Sequence, residues 1–393
     1  MNILIVSQYY YPDPFRLHEV AEGLVKRGNK VTVLTGTPNY VAKGTKEDRK
    51  KEYKSGIIKG VHIIRVRTKR RKSSLFSLAV SYISYMLSAS MKALLLKKDF
   101  DVILVYQLSP IIMVVPAFLL RWRSKKKVVI YCLDLWPESI VGTRITRKHI
   151  LYKLMFQFSV WAYNNADCVA YTSRLFQKYF VDSLKLTQKN YRYIPQFAES
   201  IYDAICNVDH YGINYVFAGN IGEAQDVENI VRAASMVKNE QIYWHIVGDG
   251  RNYESCVRLM RKLNLEKKVF FYGRKPVDEM KYFFSIADAM LVTLADNPII
   301  SYTLPGKVQS YMAAGKPIIA AASGETLMII REAQCGLYCE PNNPRRLAEI
   351  AEQMAYLDRR EYGENARKYY NKYFKKSSYM KALENILMEI SSS

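Results

Sequence analysis

Residues 303–317 read TLPGKVQSYMAAGKP and continue into the apolar run IIAAAS. The Pro-Gly pair predicts a loop, the segment from Lys307 to Ala314 a short helix, and the Gly-Lys-Pro that follows predicts the end of that helix before a buried strand. A helix that begins after Pro-Gly presents unpaired backbone N–H groups, and Lys307 places a positive charge beside them. Such a helix start suits an anion, above all a phosphate.

This stretch is not a Walker loop, because no Gly lies five residues before Gly306 and Val308, rather than Ser or Thr, follows Lys307. Taken alone, it is equally compatible with a capped helix that carries a solvated lysine. The rest of the chain has to decide between the two interpretations.

Composition describes a globular protein long enough for two domains, with 393 residues, 49% apolar and 24% charged. The six cysteines and five histidines are scattered and form no CxxC pair. We therefore expect neither disulfides nor a zinc site, and a reducing compartment. The N-terminus has no basic segment before ILIVS, which predicts a first strand rather than a signal peptide.

The net charge of +22 is unevenly placed. Residues 1–200 hold 34 Lys and Arg against 13 Asp and Glu, whereas residues 201–393 hold 24 against 23. A basic half that adjoins a neutral half predicts an anionic partner for the first half alone: phospholipid, nucleic acid or a phosphorylated substrate.

Strand-like and helix-like segments alternate along both halves. The strand-like runs of the first half are NILIVS, KVTVLT, GVHIIRV, DVILVY, KVVIYCLD and CVAYT, and those of the second are INYVFAG, IYWHIVGDG, KVFFYG, AMLVTL, PIIAAAS and GLYCE. Such apolar strands separated by helices predict two doubly wound, Rossmann-like α/β domains that face a cleft. The predicted domains are 1–200 and 201–370, and a helix in 371–393 is expected to pack back on the first domain.

Glycines recur where strands of the second half end. They are Gly219 and Gly222, Gly248 and Gly250, Gly273, and Gly306. Each glycine lets the backbone come close to a ligand at one edge of the sheet. Together with the helix start at Lys307, they favour a nucleotide diphosphate over ordinary turn chemistry.

An uncharged segment from Ser73 to Met91 follows the basic cluster 65–72. Its serines recur at helical spacing opposite an apolar face, which predicts an amphipathic helix over 73–96 that packs on the domain or lies in the membrane interface. A second basic cluster, 121–127, follows another apolar run. The two clusters predict attachment to an anionic membrane surface, with nucleic acid as a competing partner for which no RNA- or DNA-binding motif is found.

Polar residues that follow two strands of the first half are candidates for acceptor chemistry. Arg16 and His18 come after the first strand, and Arg16 is suited to an acceptor phosphate. Asp134 and Glu138 of DLWPES are suited to a sugar hydroxyl, and Trp136 to the wall of a sugar site. A structural histidine and a capped turn are the alternatives at these positions.

Several of these motifs together resemble the family-4 retaining glycosyltransferases of GT-B architecture, in particular the bacterial O-antigen and capsule branch that includes L-fucosamine transferases. The motifs are SQYYYPDPFRLHEVAEGLVKRGNKVTVLTGTPNY, DLWPES, YIPQF, FAGNIGEAQDVENIVRAA, HIVGDG, FYGRKP, ADAMLVTL and TLPGKVQSYMAAGKPIIA. They span most of the chain in the expected order.

The resemblance implies a retaining, metal-independent glycosyltransferase of the hexosyl-transferring type. It would move a sugar, with an N-acetylated amino sugar as one candidate, from a UDP-linked donor to a polyprenyl-diphosphate-linked saccharide. No cofactor is expected. The protein would act in the cytoplasm, peripherally on the inner face of the cell membrane, in synthesis of O-antigen, capsule or another surface polysaccharide. Catalysis is assigned to Lys307, Asp134 and Glu138; donor binding is assigned to Gly219, Asn220, Gly222, Gly248, Arg274, Pro305, Gly306, Ser310 and Glu325.

The chain departs from the family pattern at charged positions. A Glu-x7-Glu pair is replaced by Tyr302 and Ser310, and an Arg and a Lys near the first glycine turn by Asn220 and Gln225. Diphosphate charge then falls to Lys307, the helix start and Arg274. The alternatives are an epimerase of the same fold, a basic nucleic-acid-binding protein, and a degenerate transferase that serves as a scaffold.

Overall fold

The computed structural model of the chain describes residues 1–39, 55–70, 74–141 and 145–392. It divides into two compact units. The first comprises Met1–Ile194 and Met380–Ser393, and the second comprises Pro195–Tyr379. The segment where sequence periodicity weakens, near 195–212, begins at this division.

The first unit is built on an eight-stranded sheet of order β3-β4-β2-β1-β5-β6-β7-β8. All neighbouring strands are parallel except β3 and β4. The strands are β1 Asn2–Val6, β2 Lys30–Thr35, β3 Gly56–Ile58, β4 Val61–Arg65, β5 Val102–Gln107, β6 Lys127–Cys132, β7 Cys168–Tyr171 and β8 Tyr191–Tyr193. The central strands are buried throughout, as expected of a parallel sheet covered on both faces.

Five helices connect these strands: α1 Leu17–Lys26, α2 Leu75–Leu95, α3 Val115–Ser124, α4 Ile150–Asn165 and α5 Arg174–Lys178. From β4 to β5, β6 and β7 the chain always moves in the same direction across the sheet. Right-handed crossovers therefore place α2, α3 and α4 side by side on one face. In the described part of the chain, α2 is the one helix long and apolar enough to cross a membrane by length and composition.

The second unit carries a fully parallel six-stranded sheet of order β11-β10-β9-β12-β13-β14. The strands are β9 Ile213–Ala218, β10 Ile242–Val247, β11 Val269–Phe271, β12 Ala289–Thr293, β13 Ile318–Ala321 and β14 Gly336–Cys339. Residues alternate between two apolar cores: Val216 lies in one, whereas Tyr215 and Phe217 lie in the other. This period of two places a core on each face of the sheet.

The helices of the second unit follow its strands in turn. They are α6 Val227–Ala234, α7 Tyr253–Lys262, α8 Met280–Ser285, α9 Pro298–Tyr302, α10 Gly306–Ala313, α11 Gly324–Ala333, α12 Pro344–Tyr356 and α13 Arg359–Tyr373. The prediction of two Rossmann-like α/β domains is confirmed, and the opening stretch is helix α10 followed by strand β13.

The last helix, α14 Lys376–Ser392, carries the chain back into the first unit from Met380 onward. Its Glu384 accepts hydrogen bonds from Arg27 Nε at 2.6 Å and from Asn29 Nδ2 at 2.7 Å. Leu383 and Leu387 are fully buried. The final segment of the sequence is thus part of the core that forms around the first segment.

Candidate functional site

The glycine turns after β9 and β10 lie against each other at the carboxyl edge of the second sheet. The backbone N–H of Gly219 donates to Val247 O at 2.9 Å, and that of Ile221 donates to Asp249 O at the same distance. Gly248 has φ of 148°, and a Cβ there would lie 1.8 Å from Gly219 O. Only glycine allows this contact, so the structure brings the predicted residues Gly219 and Gly248 together.

Lys307 reaches this pair of turns from the first turn of α10. Its Nζ lies 3.7 Å from the centre of the Phe217 ring, and a Cβ added at Gly219 would be 2.9 Å from that Nζ. The ammonium is buried and has no hydrogen-bond partner within the described ranges. Burial lowers the pKa of Lys307 from 10.5 to about 7.

The start of α10 fits the anion site expected from the sequence. Pro305 occupies the N-cap position and supplies no side-chain hydrogen bond to the first turn. The N-terminal dipole of α10 and the Lys307 ammonium both favour an anion near this helix start, and the ammonium lies beside Gly219. An unpaired buried cation costs free energy, and an anionic ligand would remove that cost.

Tyr311 anchors α10 to the end of β9. Its hydroxyl accepts from the backbone N–H of Ala218 at 3.0 Å and donates to Ala218 O at 3.0 Å. Tyr311 lies one helical turn after Lys307, so both side chains meet the same strand end. The sequence analysis missed this residue, although its spacing of four from Lys307 was a signal for a shared helix face.

Two neutral side chains occupy the positions where the family carries cations. Asn220 Nδ2 donates to Gln225 Oε1 at 3.0 Å, and the pair closes the turn that contains Gly222. Arg274, after β11, is exposed to solvent. The Lys307 ammonium, in contrast, is buried against Gly219.

A carboxylate stands beside Ser310, where the family pattern predicts one on the helix itself. Ser310 Oγ lies 3.3 Å from Glu199 Oε2 and 3.3 Å from Gly306 O, two acceptors that share its single proton. Glu199 belongs to the same unit but comes from the segment before β9. The sequence analysis missed Glu199, since nothing local in YIPQFAES connects it to Ser310.

Glu325, another predicted donor-binding residue, lies in the first turn of α11 and is fully buried. The preceding Gly324 has φ of 59°, and a Cβ there would lie 2.1 Å from Ser301 O. This close approach packs the start of α11 against α9.

In the first unit, the predicted acceptor residues lie after β1 and β6, at the carboxyl edge of that sheet. Arg16 is the N-cap residue of α1. His18 Nδ1 lies 2.7 Å from Phe15 O, a contact that fixes the ring against its own loop. The roles of both residues in acceptor binding stay predictions.

Asp134 lies at the centre of a hydrogen-bond network. It accepts from the hydroxyls of Ser109 and Ser139, and Gln107 Nε2 donates to its backbone carbonyl at 2.9 Å. Burial raises the pKa of the Asp134 carboxyl despite these donors. The role of Asp134 in acceptor chemistry stays a prediction.

The contacts of Glu138 and Trp136 are those of structural residues. Glu138 accepts from Tyr152 at 2.8 Å and from two nitrogens of Arg147 at 3.1 and 3.2 Å. Trp136 is 4% exposed and donates its indole N–H to Ser109 Oγ at 3.0 Å. Both side chains are thus held by contacts within the unit, and their predicted roles in sugar binding and catalysis stay predictions.

The basic clusters are only partly free to meet a partner. Arg65 donates to the carbonyls of Gly36 and Tyr11. Arg121 and Lys127 pair with Asp167 at 3.3 and 3.5 Å. Residues 71 and 72 lie outside the described ranges. Among the described residues, no group of three or more His, Cys, Asp or Glu side chains is placed to hold a metal ion.

Comparison with solved structures identifies the fold. Sucrose-phosphate synthase from Thermosynechococcus elongatus is 16% identical, covers 100% of this chain and 99% of its own, and superimposes with a TM-score of 0.77. Anabaena HepE in complex with UDP is 14% identical, covers 99% and 100%, and gives a TM-score of 0.72. At these identities the likeness concerns architecture, and it agrees with the two Rossmann-like sheets.

Comparison of sequences identifies the family. The "Probable glycosyltransferase WbjE" of Pseudomonas aeruginosa is 28% identical over 266 residues, which are 64% of this chain and 65% of WbjE; the chain thus spans just under two thirds of that relative's length. Residues 16–198 match the family Glycosyltransferase Family 4, and residues 208–369 match Glycosyl transferases group 1. Because these two matches fall on the two units in turn, the chain belongs to the glycosyltransferases, with a family 4 domain followed by a group 1 domain.

Proposed function

We propose that the protein transfers a sugar from a nucleotide-diphosphate donor, held by the second unit, to a hydroxyl of a saccharide acceptor. The observation that carries this proposal is the buried Lys307 ammonium, which has no hydrogen-bond partner in the described part of the chain and lies against Gly219 at the start of α10. A diphosphate supplies the negative charge that would pair with this buried ammonium at the helix start.

The proposed catalytic effect is electrostatic. Negative charge grows on the departing nucleoside diphosphate as the glycosidic bond breaks. The Lys307 ammonium and the N-terminal dipole of α10 are fixed in place before the reaction, so they stabilise this charge without reorganisation. We propose that the reaction retains anomeric configuration and needs no resident metal; both features rest on the family resemblance.

The nucleoside is proposed to be held one helical turn beyond Lys307. Ser310 and Glu199 present a hydroxyl and a carboxylate 3.3 Å apart. A carboxylate accepts from two neighbouring hydroxyls, which is the arrangement that a ribose offers. UDP is the proposed nucleotide, and a neighbour of the same fold, Anabaena HepE, is described in complex with UDP.

The acceptor is proposed to be a saccharide linked to polyprenyl diphosphate at the inner face of the cell membrane, in synthesis of O-antigen, capsule or a related polysaccharide. Support comes from the charge of residues 1–200, which hold 34 cationic against 13 anionic side chains. Such a surface attracts both the acceptor diphosphate and anionic lipid. Arg16 and Asp134 are the residues proposed to meet the acceptor.

Donor binding and turnover test this function. Thermal shifts are measured with UDP-, GDP- and TDP-sugars, and one of these is expected to raise the Tm of the parent protein. Replacing Lys307 by Gln is expected to abolish most of that shift and to lower turnover by about a hundredfold or more. Lys262→Gln, at an exposed position on α7, is the matched control and keeps both.

Two results would contradict the proposal. One is a parent protein that binds none of these nucleotide sugars. The other is unchanged turnover in Lys307→Gln. Loss of activity in EDTA, restored by magnesium or manganese, would leave the transferase assignment intact and remove the metal-independent mechanism.

A further inference from the structure

We propose that the outer side of α2, α3 and α4 is a docking surface for an anionic phospholipid bilayer, and that these helices lie in the membrane interface without crossing it. This inference deepens the proposed function, because a lipid-linked acceptor is reached only at a membrane. It is carried by the exposure and charge of the three helices, not by the sugar chemistry.

Helix α2 turns its small and polar residues inward and its large apolar residues outward. Ser81, Tyr85, Ala89 and Ala93 are buried against the unit. The outward stripe is apolar at helical spacing, with Phe76 80% and Met91 64% exposed, and includes Phe76, Ile83, Leu87, Met91, Leu94 and Leu95. A helix that faces water has the opposite distribution, so this one is built for an apolar medium on its outer side.

The neighbouring helices continue the same surface. Phe118 of α3 and Trp161 of α4 are in ring contact at 5.0 Å, and Trp122, one turn after Phe118, is 72% exposed. At the start of α4, Ile150, Leu151 and Leu154 are also exposed. We call this surface the three-helix face; it consists of Phe76, Ile83, Leu87, Met91, Leu94, Leu95, Trp122, Ile150, Leu151, Leu154 and Trp161.

The charge of the three-helix face has one sign. None of α2, α3 and α4 contains an Asp or Glu. Exposed lysines lie on these helices or directly after them: Lys92, Lys97, Lys98, Lys125 and Lys153. Apolar side chains with exposed tryptophans, on helices that carry Lys and Arg but no Asp or Glu, match the acyl and headgroup layers of an anionic membrane.

The same charge argues against a second copy of the chain as the occupant. Two such faces would bring lysines together with no carboxylate on these helices to pair with them. A spanning arrangement is disfavoured by the inner side of α2. The buried Tyr85 hydroxyl donates to Leu34 O at 3.2 Å, and this anchor to β2 would be lost if α2 left the sheet.

Tryptophan fluorescence gives a direct test with the full chain. Two of the four tryptophans, Trp122 and Trp161, lie on the three-helix face, whereas Trp136 and Trp244 are buried. On addition of vesicles of phosphatidylglycerol and phosphatidylcholine in equal parts, the emission is expected to shift to the blue. Brominated lipids are expected to quench the tryptophan emission. Quenching should be stronger with bromine near the headgroups than with bromine at the bilayer centre. Trp122→Phe/Trp161→Phe should remove both signals and keep vesicle co-sedimentation.

Co-sedimentation separates the charge from the apolar contribution. Lys92→Gln/Lys97→Gln/Lys98→Gln should weaken binding about a hundredfold at low salt, since each juxtamembrane cation contributes about fivefold. Leu87→Gln/Met91→Gln should weaken it at any salt concentration. Lys262→Gln/Lys267→Gln/Lys281→Gln, three exposed lysines of the second unit, are the matched control and should bind as the parent does.

The proposal is overturned if the parent does not bind these vesicles, or if the control triple weakens binding as much as the test triple. Quenching strongest at the bilayer centre would show insertion across the membrane instead. A concentration-dependent dimer that Leu87→Gln/Met91→Gln dissolves would assign the face to a second copy. Transfer of sugar to a water-soluble acceptor analogue should be unchanged in these variants, so failure of docking is distinguishable from failure of the transferase function.

Discussion

At the scale of single residues, the site in the second unit depends on one ammonium held out of water. Lys307 stands over the Phe217 ring, beside Gly219, with no hydrogen-bond partner in the described ranges. Burial makes the charged form costly and lowers the pKa of Lys307 to about 7 in the free protein. A bound diphosphate reverses the balance and returns the pKa toward that of an ordinary lysine.

This coupling predicts a pH dependence of donor binding. With a UDP-sugar, whose diphosphate stays fully ionised, affinity should be greatest below about pH 7 and fall up to about tenfold per pH unit above it, because binding then requires uptake of a proton. Calorimetry in buffers of different ionisation enthalpy measures that uptake. Lys307→Arg keeps its charge throughout this range and should show a flat profile. A slope that survives in Lys307→Arg would assign the titration to another group.

The pairing of Ser310 with Glu199 predicts which variants lose contact with the ribose. Glu199→Gln should weaken UDP binding about ten- to a hundredfold, and Ser310→Ala less, since hydrogen bonds to charged groups are the stronger ones. The decisive ligand is UDP that lacks both ribose hydroxyls. The parent should bind it more weakly than UDP, whereas Glu199→Gln should bind the two alike. Discrimination that persists in Glu199→Gln, with Tm unchanged, would remove Glu199 from the ribose site.

At the scale of elements, the site in the second unit is formed where strands β9 and β10 end. The turns that follow these strands contact each other through their backbones. The turns after β9 and β10 touch through Gly219 and Gly248, and α10 is fastened to the first of them by Tyr311. The geometry of the proposed donor site is therefore set by strand β9, helix α10 and the contact between the two glycine turns.

Gly248→Ala is expected to destabilise the second unit by more than about 2 kcal/mol, because its φ of 148° is accessible to glycine alone and the new Cβ would meet Gly219 O. The thermal shift with UDP should be lost as well. The comparison is Gly273→Ala, where φ is 66° but no atom lies within 4 Å of the added Cβ. That change should cost about 1–2 kcal/mol. Equal Tm values for the two variants would show that the contact of the turns is not what constrains position 248.

Long periodic segments of the sequence predicted their helices and strands well. Contacts between residues far apart in the sequence could not be predicted from it. Six strands of the first sheet, the six strands of the second and helix α10 follow from apolar periodicity and from Pro and Gly punctuation, whereas the three-residue strands β3 and β8 were not predicted. Helix α4 was missed because its apolar residues surround the helix and give no single stripe. Glu199 was missed for a different reason, since only the folded chain brings it to Ser310.

The sequence also could not predict that the apolar stripe on α2 faces outward. Its amphipathic pattern was predicted, but a pattern of this kind does not say which side faces the sheet. The helix buries Ser81 and exposes Leu87, the reverse of the usual choice. The exposure of the apolar residues of α2 is known only from the fold. This exposure is the observation that supports a membrane as the partner of the helix.

At the scale of the whole molecule, the two units differ in charge and in what they are proposed to hold. The first carries the excess of Lys and Arg, and the second carries the helix start and glycine turns of the donor site. The chain passes from the first unit to the second after Ile194 and returns after Tyr379. The first unit is therefore discontinuous in sequence.

Removal of residues 380–393 is expected to destabilise the first unit selectively. The deletion takes away the buried Leu383 and Leu387 and the Glu384 contacts with Arg27 and Asn29. Loss of two buried leucines alone costs about 4–10 kcal/mol, which is comparable to the stability of a domain. Calorimetry should show an early transition for the truncated chain while UDP still raises the later one. A single transition at the parent temperature would contradict this expectation.

A ribosome makes the α14 segment after the whole second unit, yet the unit that contains β1 needs this segment. The second unit can fold as soon as its own residues have emerged, whereas the earlier-synthesised unit stays incomplete until residues 380–393 have emerged. The unit whose synthesis begins first is thus the one that completes its folding second. A nascent chain that stalls before α14 would expose the surface around Arg27 and Asn29 to chaperones.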